Sequence, residues 1–242
     1  MLRQLQSVGE TRGDFVTSAV RSSGARKILD IGCGPGYQLV HLQQCERWGV
    51  DMDESMLQIA RELDPGAHLV LQTGAELPFD GQSFDAAILS EVIEHVGDDN
   101  KDLVINEAHR VLRPGGTFVF TAPYAGAFAW ADPLDAKRRL PVLYRLFARL
   151  ARRAPKTAIE IGHKHISDEE IADLFAGRFV IERQTYSGPI TAWLVWLQIA
   201  ASELRLPVRI VGRLNWLRSW ESGIPCPRRL AYNTRLIARR QT

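Results

Sequence analysis

Arg26-Lys27-Ile28-Leu29-Asp30-Ile31-Gly32-Cys33-Gly34-Pro35-Gly36-Tyr37-Gln38 is the stretch that decides the fold. A short apolar run (Ile28, Leu29, Ile31) leads into three glycines, Gly32, Gly34 and Gly36, and a helical pattern over about 37–45 follows. Strand, glycine turn and helix are the parts of a nucleotide-cofactor site at the edge of a parallel sheet. Glycine permits positive φ there and lets a ligand approach the backbone with no Cβ in the way.

The glycine spacing restricts the cofactor. A dinucleotide loop reads Gly-x-Gly-x-x-Gly, and its third glycine packs helix against strand while the helix N-terminus faces a pyrophosphate. Here the spacing is Gly-x-Gly-x-Gly, with Pro35 inside the loop and Tyr37 where the third glycine should stand. Asp51 lies 19 residues after Gly32, at the end of a second short strand, Trp48-Gly49-Val50. A carboxylate at that place can accept two hydrogen bonds from a ribose diol. Together these features ask for a nucleoside with free hydroxyls and no pyrophosphate.

Outward from the loop, strands and helices alternate. Residues 1–24 fit one or two short helices, with Arg12 either near the cofactor or solvated. A helix is expected over Glu54–Leu63, stopped by Pro65-Gly66, then strands at Leu69–Leu71 and Phe84–Leu89. A further helix over Lys101–Leu112 and a Pro114-Gly115-Gly116 turn lead into a fifth strand, Thr117–Thr121. Such alternation implies a parallel sheet with helices on both faces. Beyond Pro123 the rhythm fails. It resumes with a helix from Ser167 to Phe175, opened by a Ser167/Glu170 capping box. A sixth strand starts at Phe179, and a last strand runs over Ala231–Ala238.

The whole chain of 242 residues carries a net charge of only +2, but the charge is divided. Residues 1–136 hold a net −10 and residues 137–242 a net +12. The division suits an anionic acceptor or an anionic surface on the basic side, or simply two halves that complement each other. Cys33, Cys45 and Cys226 have no metal-like or disulfide-framework spacing, as in a reducing, cytoplasmic compartment. Met1–Ser7 contains no apolar signal core, and no run reaches the roughly 18 apolar residues of a membrane span.

Six stretches, in order and over residues 26–123, resemble the class I S-adenosylmethionine-dependent methyltransferases, in particular the small-molecule branch that includes ubiquinone, menaquinone and sugar methyltransferases. They are Leu29–Gly36, Gly49–Leu57, Ala75–Phe79, Ser83–Ala86, Glu91–Val96 and Glu107–Gly116. The resemblance implies an α/β, doubly wound, Rossmann-like sheet of seven strands with the last antiparallel. It implies one methyltransferase domain over 1–242, with a cofactor core at 26–123 and a helical acceptor-side cap at 124–165 and 188–227. Asp30 and the backbone of Gly32, Gly34 and Gly36 should hold the methionine part of S-adenosylmethionine, and Asp51 the ribose. Met52 should pack on the adenine, Ala75 and Glu76 should line its pocket, and Ser90 and Glu91 should lie beside the sulfonium. The family often has Gly-Asp-Ala where this chain has Thr73-Gly74-Ala75, so an adenine contact through that Asp is missing.

The resemblance implies methyl transfer, most often to oxygen, on a small-molecule or lipid-linked acceptor. Displacement at a sulfonium methyl relies on alignment and water exclusion. A base is needed only when the acceptor must lose a proton. His95, His163, His165 and Tyr124 are the candidates for that role or for orienting the acceptor, each with a plain packing role as its alternative. His163-x-His165 finds no further ligand cluster, and no metal is expected. Residues 137–156 carry eight basic residues and no acidic one, and 141–154 reads as a basic amphipathic helix. With the Trp-rich stretch 188–227 it suits a lid, or a peripheral contact with an anionic membrane. Nucleic acid is disfavoured, because leucines rather than exposed stacking platforms interleave the charges. Two rival readings stand beside methyl transfer: a non-catalytic S-adenosylmethionine-binding regulator of the same fold, and a nicotinamide oxidoreductase, which the glycine spacing disfavours.

Overall fold

The computed structural model describes residues 12–72, 76–127, 129, 164–188 and 226–241. Seven strands form one sheet in the order β3-β2-β1-β4-β5-β7-β6. They are β1 (Lys27–Ile31), β2 (Glu46–Asp51), β3 (His68–Leu71), β4 (Phe84–Ser90), β5 (Leu112–Pro123), β6 (Phe179–Ser187) and β7 (Asn233–Arg240). The first five strands pair in parallel. At one end of β7 Tyr232 N–H donates to Ser187 O, and at the other Gln241 N–H donates to Arg178 O. Residue numbers rise on one strand as they fall on its neighbour, so β7 runs antiparallel, as expected.

The chain divides into two compact units. One comprises Arg12–Ala122, Asp168–Gln184 and Arg235–Thr242; the other comprises Met1–Thr11, Pro123–Ser167 and Thr185–Thr234. In the first unit the sheet is covered on both faces, which is why its central strands are mostly apolar, with Asp30 and Ser90 near their carboxyl ends. Helix α1 (Arg12–Ser23) buries Phe15, Val16, Ala19 and Val20 in a cluster with Ile28, Leu39, Leu57, Ala86, Ile88 and Val119. Ile28 pairs in register with Ala86, and side chains alternate along a strand. Leu29, Ala87, Phe118 and Phe120 therefore belong to the opposite face. There Phe118 and Phe120 meet Phe175 and Phe179, with ring centroids between 4.6 and 5.7 Å apart. Phe175 ends the short helix α4 (Asp168–Phe175), which lies against α3 (Asp98–Val111).

Helix α2 (Glu54–Leu63) has the predicted limits because both ends are specified locally. Asp53 caps its start by accepting from Ser55 N–H at 2.8 Å, and Pro65 follows its last turn. Only Leu57 and Ala60 are buried, while the apolar Met56 and Ile59 are exposed.

Two expectations need correction. The helix predicted over 37–45 is a single 3-10 turn, Leu39–Leu42. Nine residues separate Gly36 from β2, too few for the roughly 1.5 Å per residue of an α-helix to run back along a strand. Buried Leu39 and Leu42, three apart, match the 3-10 period. The fifth strand begins at Leu112 rather than Thr117. The register with β4 jumps from Phe84↔Leu112 to Ala86↔Thr117, so Arg113–Gly116 is a bulge inside the strand, not a turn before it. Glu170 of α4 reaches across to Lys101 on α3, which joins the two helices.

A buried ion pair ties β2 to the end of α2. Arg47 Nε and Nη2 donate to the two oxygens of Asp64 at 2.7 and 3.0 Å, and Nη1 donates to Cys45 O. The side chains are only 10% and 6% exposed. Removing one partner strands the other charge away from water, which costs about 3–5 kcal/mol. Asp64→Ala should therefore lower unfolding free energy by about that amount in urea titration. An unchanged midpoint would show that the pair contributes little.

Candidate functional site

The glycine loop leaves β1 in a strained path that its own backbone bonds enforce. Gly32 and Cys33 N–H groups both donate to Val50 O, at 2.8 and 3.0 Å. This clamps the loop to β2 and puts Gly32 at φ +72°. A Cβ on Gly32 would collide with Val92 Cγ2. Gly34, at φ +51°, differs: nothing lies within 4 Å of where its Cβ would be. One glycine is needed by the fold and the next opens onto free space. Gly36 packs on Ala60 of α2, where a Cβ would lie 3.1 Å from Ala60 Cβ. The third glycine thus lets a helix approach, but the helix is α2 and not the segment after the loop.

Asp51 reaches back across this loop. Its Oδ2 accepts from Gly34 N–H at 2.7 Å and its Oδ1 from Asp53 N–H at 2.9 Å. The carboxylate is fixed in place by backbone donors and is itself part-exposed. Asp30 sits deeper, at 2% exposure. Its Oδ2 has no hydrogen-bond partner. Burial first, and the Asp51 carboxylate second, push its carboxyl group up to about 8. Burial, then Asp30 and Asp51, also push the Cys33 thiol up, which disfavours its thiolate. Met52 is 70% exposed beside Asp51, an apolar side chain held out at the site.

At the end of β4, Glu91 adopts φ +58°. A non-glycine residue in the left-handed region costs about 1 kcal/mol or more and requires surrounding bonds to hold it. Here Glu91 N–H donates to Thr121 O at 2.9 Å, Oε1 accepts from Thr121 Oγ1 at 3.0 Å, and Oε2 pairs with Arg12 at 2.9 Å. Ser90 Oγ lies 2.9 Å from Thr121 Oγ1. Thr121 has one hydroxyl proton and gives it to Glu91, so Ser90 is the donor in that pair. The order is Ser90 to Thr121 to Glu91, closed by Arg12.

The Glu76–Phe79 loop is held from α3. Glu107 Oε2 accepts from Leu77 N–H at 2.7 Å, and Arg110 donates to Leu77 O and Phe79 O. Arg110 also binds Glu107, and that hydrogen bond holds the Glu107 carboxyl below its ordinary range. Glu76 is exposed, with its carbonyl bonded to Gln72. The roles of Glu107, Arg110 and Thr121 were missed from sequence. Glu107 and Arg110, three apart before Pro114-Gly115-Gly116, have the spacing of a helical ion pair. That spacing was the available signal for them. Nothing local marks Thr121, which acts across strands.

Asp30, Gly32, Gly34, Gly36, Asp51, Met52, Glu76, Ser90 and Glu91 all fall in the first unit, along with His95. His95 is exposed and ends a 3-10 turn, Ile93–His95, just beyond them. Tyr124 and His165 belong to the second unit. Tyr124 is 4% exposed, and its hydroxyl accepts from Arg228 Nε at 2.7 Å. His165 lies edge-on to Tyr232, with ring centroids 6.0 Å apart. Ala75 and His163, the basic run 137–156 and nearly all of the predicted cap lie outside the described residues. Among the described residues no cluster of His, Cys, Asp or Glu could hold a metal ion.

This chemistry fits S-adenosylmethionine better than a dinucleotide. A buried carboxyl without a partner calls for a cation, such as an α-ammonium. The open space at Gly34 admits a ligand, and Asp51 stands ready for a diol. A pyrophosphate would bring further negative charge toward the buried Asp30 carboxyl.

Residues 29–120 match the family model of the methyltransferase domain. The ubiquinone biosynthesis O-methyltransferase of Alkalilimnicola ehrlichii is 30% identical over 126 residues, covering 49% of this chain and 50% of that one. The malonyl-[acyl-carrier protein] O-methyltransferase of Salmonella typhimurium is 29% identical over 126 residues, 51% of this chain and 49% of that one. The chain spans about half the length of these relatives. The fold matches that of the Burkholderia thailandensis 1,6-didemethyltoxoflavin-N1-methyltransferase, solved with S-adenosylhomocysteine. That match has a TM-score of 0.57 at 15% identity and covers 96% of this chain and 80% of the other.

The two glycines should separate stability from binding. Gly34→Ala should cost about 1–2 kcal/mol for the left-handed backbone, yet weaken S-adenosylhomocysteine at least tenfold by filling the cradle. Gly32→Ala should cost clearly more stability, because Val92 must also move. Thermal melts with and without ligand check both. Equal losses of stability, with Gly34→Ala binding normally, would contradict the assignment.

Proposed function

From a chain whose residues 29–120 are a class I, S-adenosylmethionine-dependent methyltransferase domain, we propose that the protein methylates an oxygen of a small-molecule or lipid-linked acceptor. The observation that carries the cofactor half of this reading is Asp30, a buried carboxyl without a partner, beside a glycine cradle. Asp30 takes the methionine ammonium. Gly34 presents backbone to the ligand, and Asp51, already oriented by Gly34 and Asp53 N–H, takes the ribose hydroxyls. Met52 covers the adenine, with Glu76 and Ala75 at its edge. Ser90 and Glu91, held by Thr121 and Arg12, set the floor where the methyl is presented. When bound, S-adenosylmethionine supplies a methyl on a sulfonium whose charge vanishes on transfer.

Oxygen as the accepting atom is supported by the relatives named as O-methyltransferases. A hydroxyl acceptor must pass its proton to a base. His95 is the imidazole nearest in sequence to Ser90 and Glu91, and it lies in their unit. The lipid-linked form of the reading rests on the basic, leucine-striped run 137–156 and the tryptophans of 188–227. An anionic membrane surface would concentrate such an acceptor. Among the described residues no helix is long and apolar enough to cross a membrane.

Incubation with methyl-labelled S-adenosylmethionine and candidate acceptors, lipid extracts included, should transfer label to an oxygen. Asp51→Ala should weaken cofactor binding by about 1.5–3 kcal/mol through lost charge-assisted hydrogen bonds. Unchanged affinity would refute that role. Tight cofactor binding with no label transferred to any acceptor would favour the non-catalytic regulator instead.

A further inference from the structure

We propose that S-adenosylmethionine binding drives a proton out of the Asp30 carboxyl: before the ligand arrives Asp30 is the neutral acid, and the bound ammonium converts it to the carboxylate. This rests on the cofactor reading above. It extends that reading to a pH-linked affinity.

The geometry carries the argument. Asp30 is the fourth residue of β1, between β2 and β4, where its register partners are Gly49 and Ile88. Neither can donate a side-chain hydrogen bond. From the end of β2 comes the carboxylate of Asp51, and from the loop comes the Cys33 thiol. Among the described residues, burial is the largest influence on Asp30 and the Asp51 carboxylate the next, and no cation is among the causes. Arg12, at the start of α1, is already paired with Glu91 just after β4. Asp51 has its own donors in Gly34 and Asp53 N–H, whereas Oδ2 of Asp30 has none. A charged carboxylate is poorly supported in such surroundings, and a proton is the simplest neutraliser. Burial and Asp51 accordingly push the group up to about 8.

An arriving α-ammonium reverses this balance. It supplies the missing cation and the missing donors, so the ionised form becomes the favoured one. The Asp30 O–H bond breaks, its electron pair stays on the carboxylate, and the proton passes to buffer. The sign follows from linkage. Binding that releases a proton strengthens as pH rises while the free site is protonated. Affinity should rise with pH up to about 8. It should level off above, until the ligand's own ammonium deprotonates.

The test is calorimetry of S-adenosylhomocysteine with the whole chain at pH 7, in buffers of different ionisation enthalpy. The expected result is release of close to one proton per ligand, and an affinity that rises about tenfold per pH unit from pH 6 to 7.5. Asp30→Asn should abolish both the release and the pH slope. If that variant does not fold, the wild-type chain with an analogue lacking the α-amino group serves instead, and should bind without proton release. S-adenosylhomocysteine binding without proton release, or release that persists in Asp30→Asn or with that analogue, would overturn the inference and leave the methyltransferase reading intact. Failure of S-adenosylhomocysteine to bind at all would overturn both.

Discussion

The carbonyl of Val50 accepts two backbone N–H groups, those of Gly32 and Cys33, and the architecture of the site depends on that shared acceptor. It joins the end of β1 to the end of β2 and forces Gly32 into the left-handed region. One residue on, Asp51 extends the junction: one oxygen holds the loop at Gly34, the other holds Asp53, and Asp53 caps α2. Loop, strand end and helix start are therefore fixed by Val50 and Asp51 at the end of β2 and Asp53 in the turn after it. Gly36 then lets α2 approach closely through Ala60. The buried Arg47–Asp64 pair anchors the far end of the same helix.

The electrostatics of the junction select its ligand. Two carboxyl groups, Asp30 and Asp51, converge at the loop, and among the described residues no cation is seen to balance the buried one. A dinucleotide's pyrophosphate would add negative charge to that place, and at short range in a buried setting the repulsion is large. A ligand with an ammonium at one end and a ribose diol at the other answers both groups. The glycine spacing points the same way through sterics. Charge at Asp30 and the glycine spacing both favour S-adenosylmethionine over a nicotinamide dinucleotide.

Much of this was legible in the sequence because the determining interactions are local. α2 has its expected limits, and Asp51 and the glycines could be read from their spacing, whereas Asp30 came only with the family resemblance. The errors arose where length or long-range pairing decides. The segment after the loop is too short for a helix, a count that periodicity over 37–45 obscures. The early start of β5 depends on a bulge against β4, which no single strand reveals. Thr121 lies 31 residues from Ser90 and 30 from Glu91, so its role appears only when β4 and β5 pair. Tyr124 illustrates the converse: a residue picked for chemistry whose hydroxyl the fold gives to Arg228. The acceptor half of the chain offers composition but no spaced motif, and its chemistry was not legible beyond charge and tryptophan content.

The central claim is that the loop of Gly32, Gly34 and Gly36, with Asp30 and Asp51, is built for S-adenosylmethionine. Equilibrium binding of S-adenosylhomocysteine and of NAD to the same preparation tests it most directly. Saturable one-to-one binding of S-adenosylhomocysteine with no binding of NAD is the predicted result. Binding of NAD, or no binding of S-adenosylhomocysteine, would contradict it.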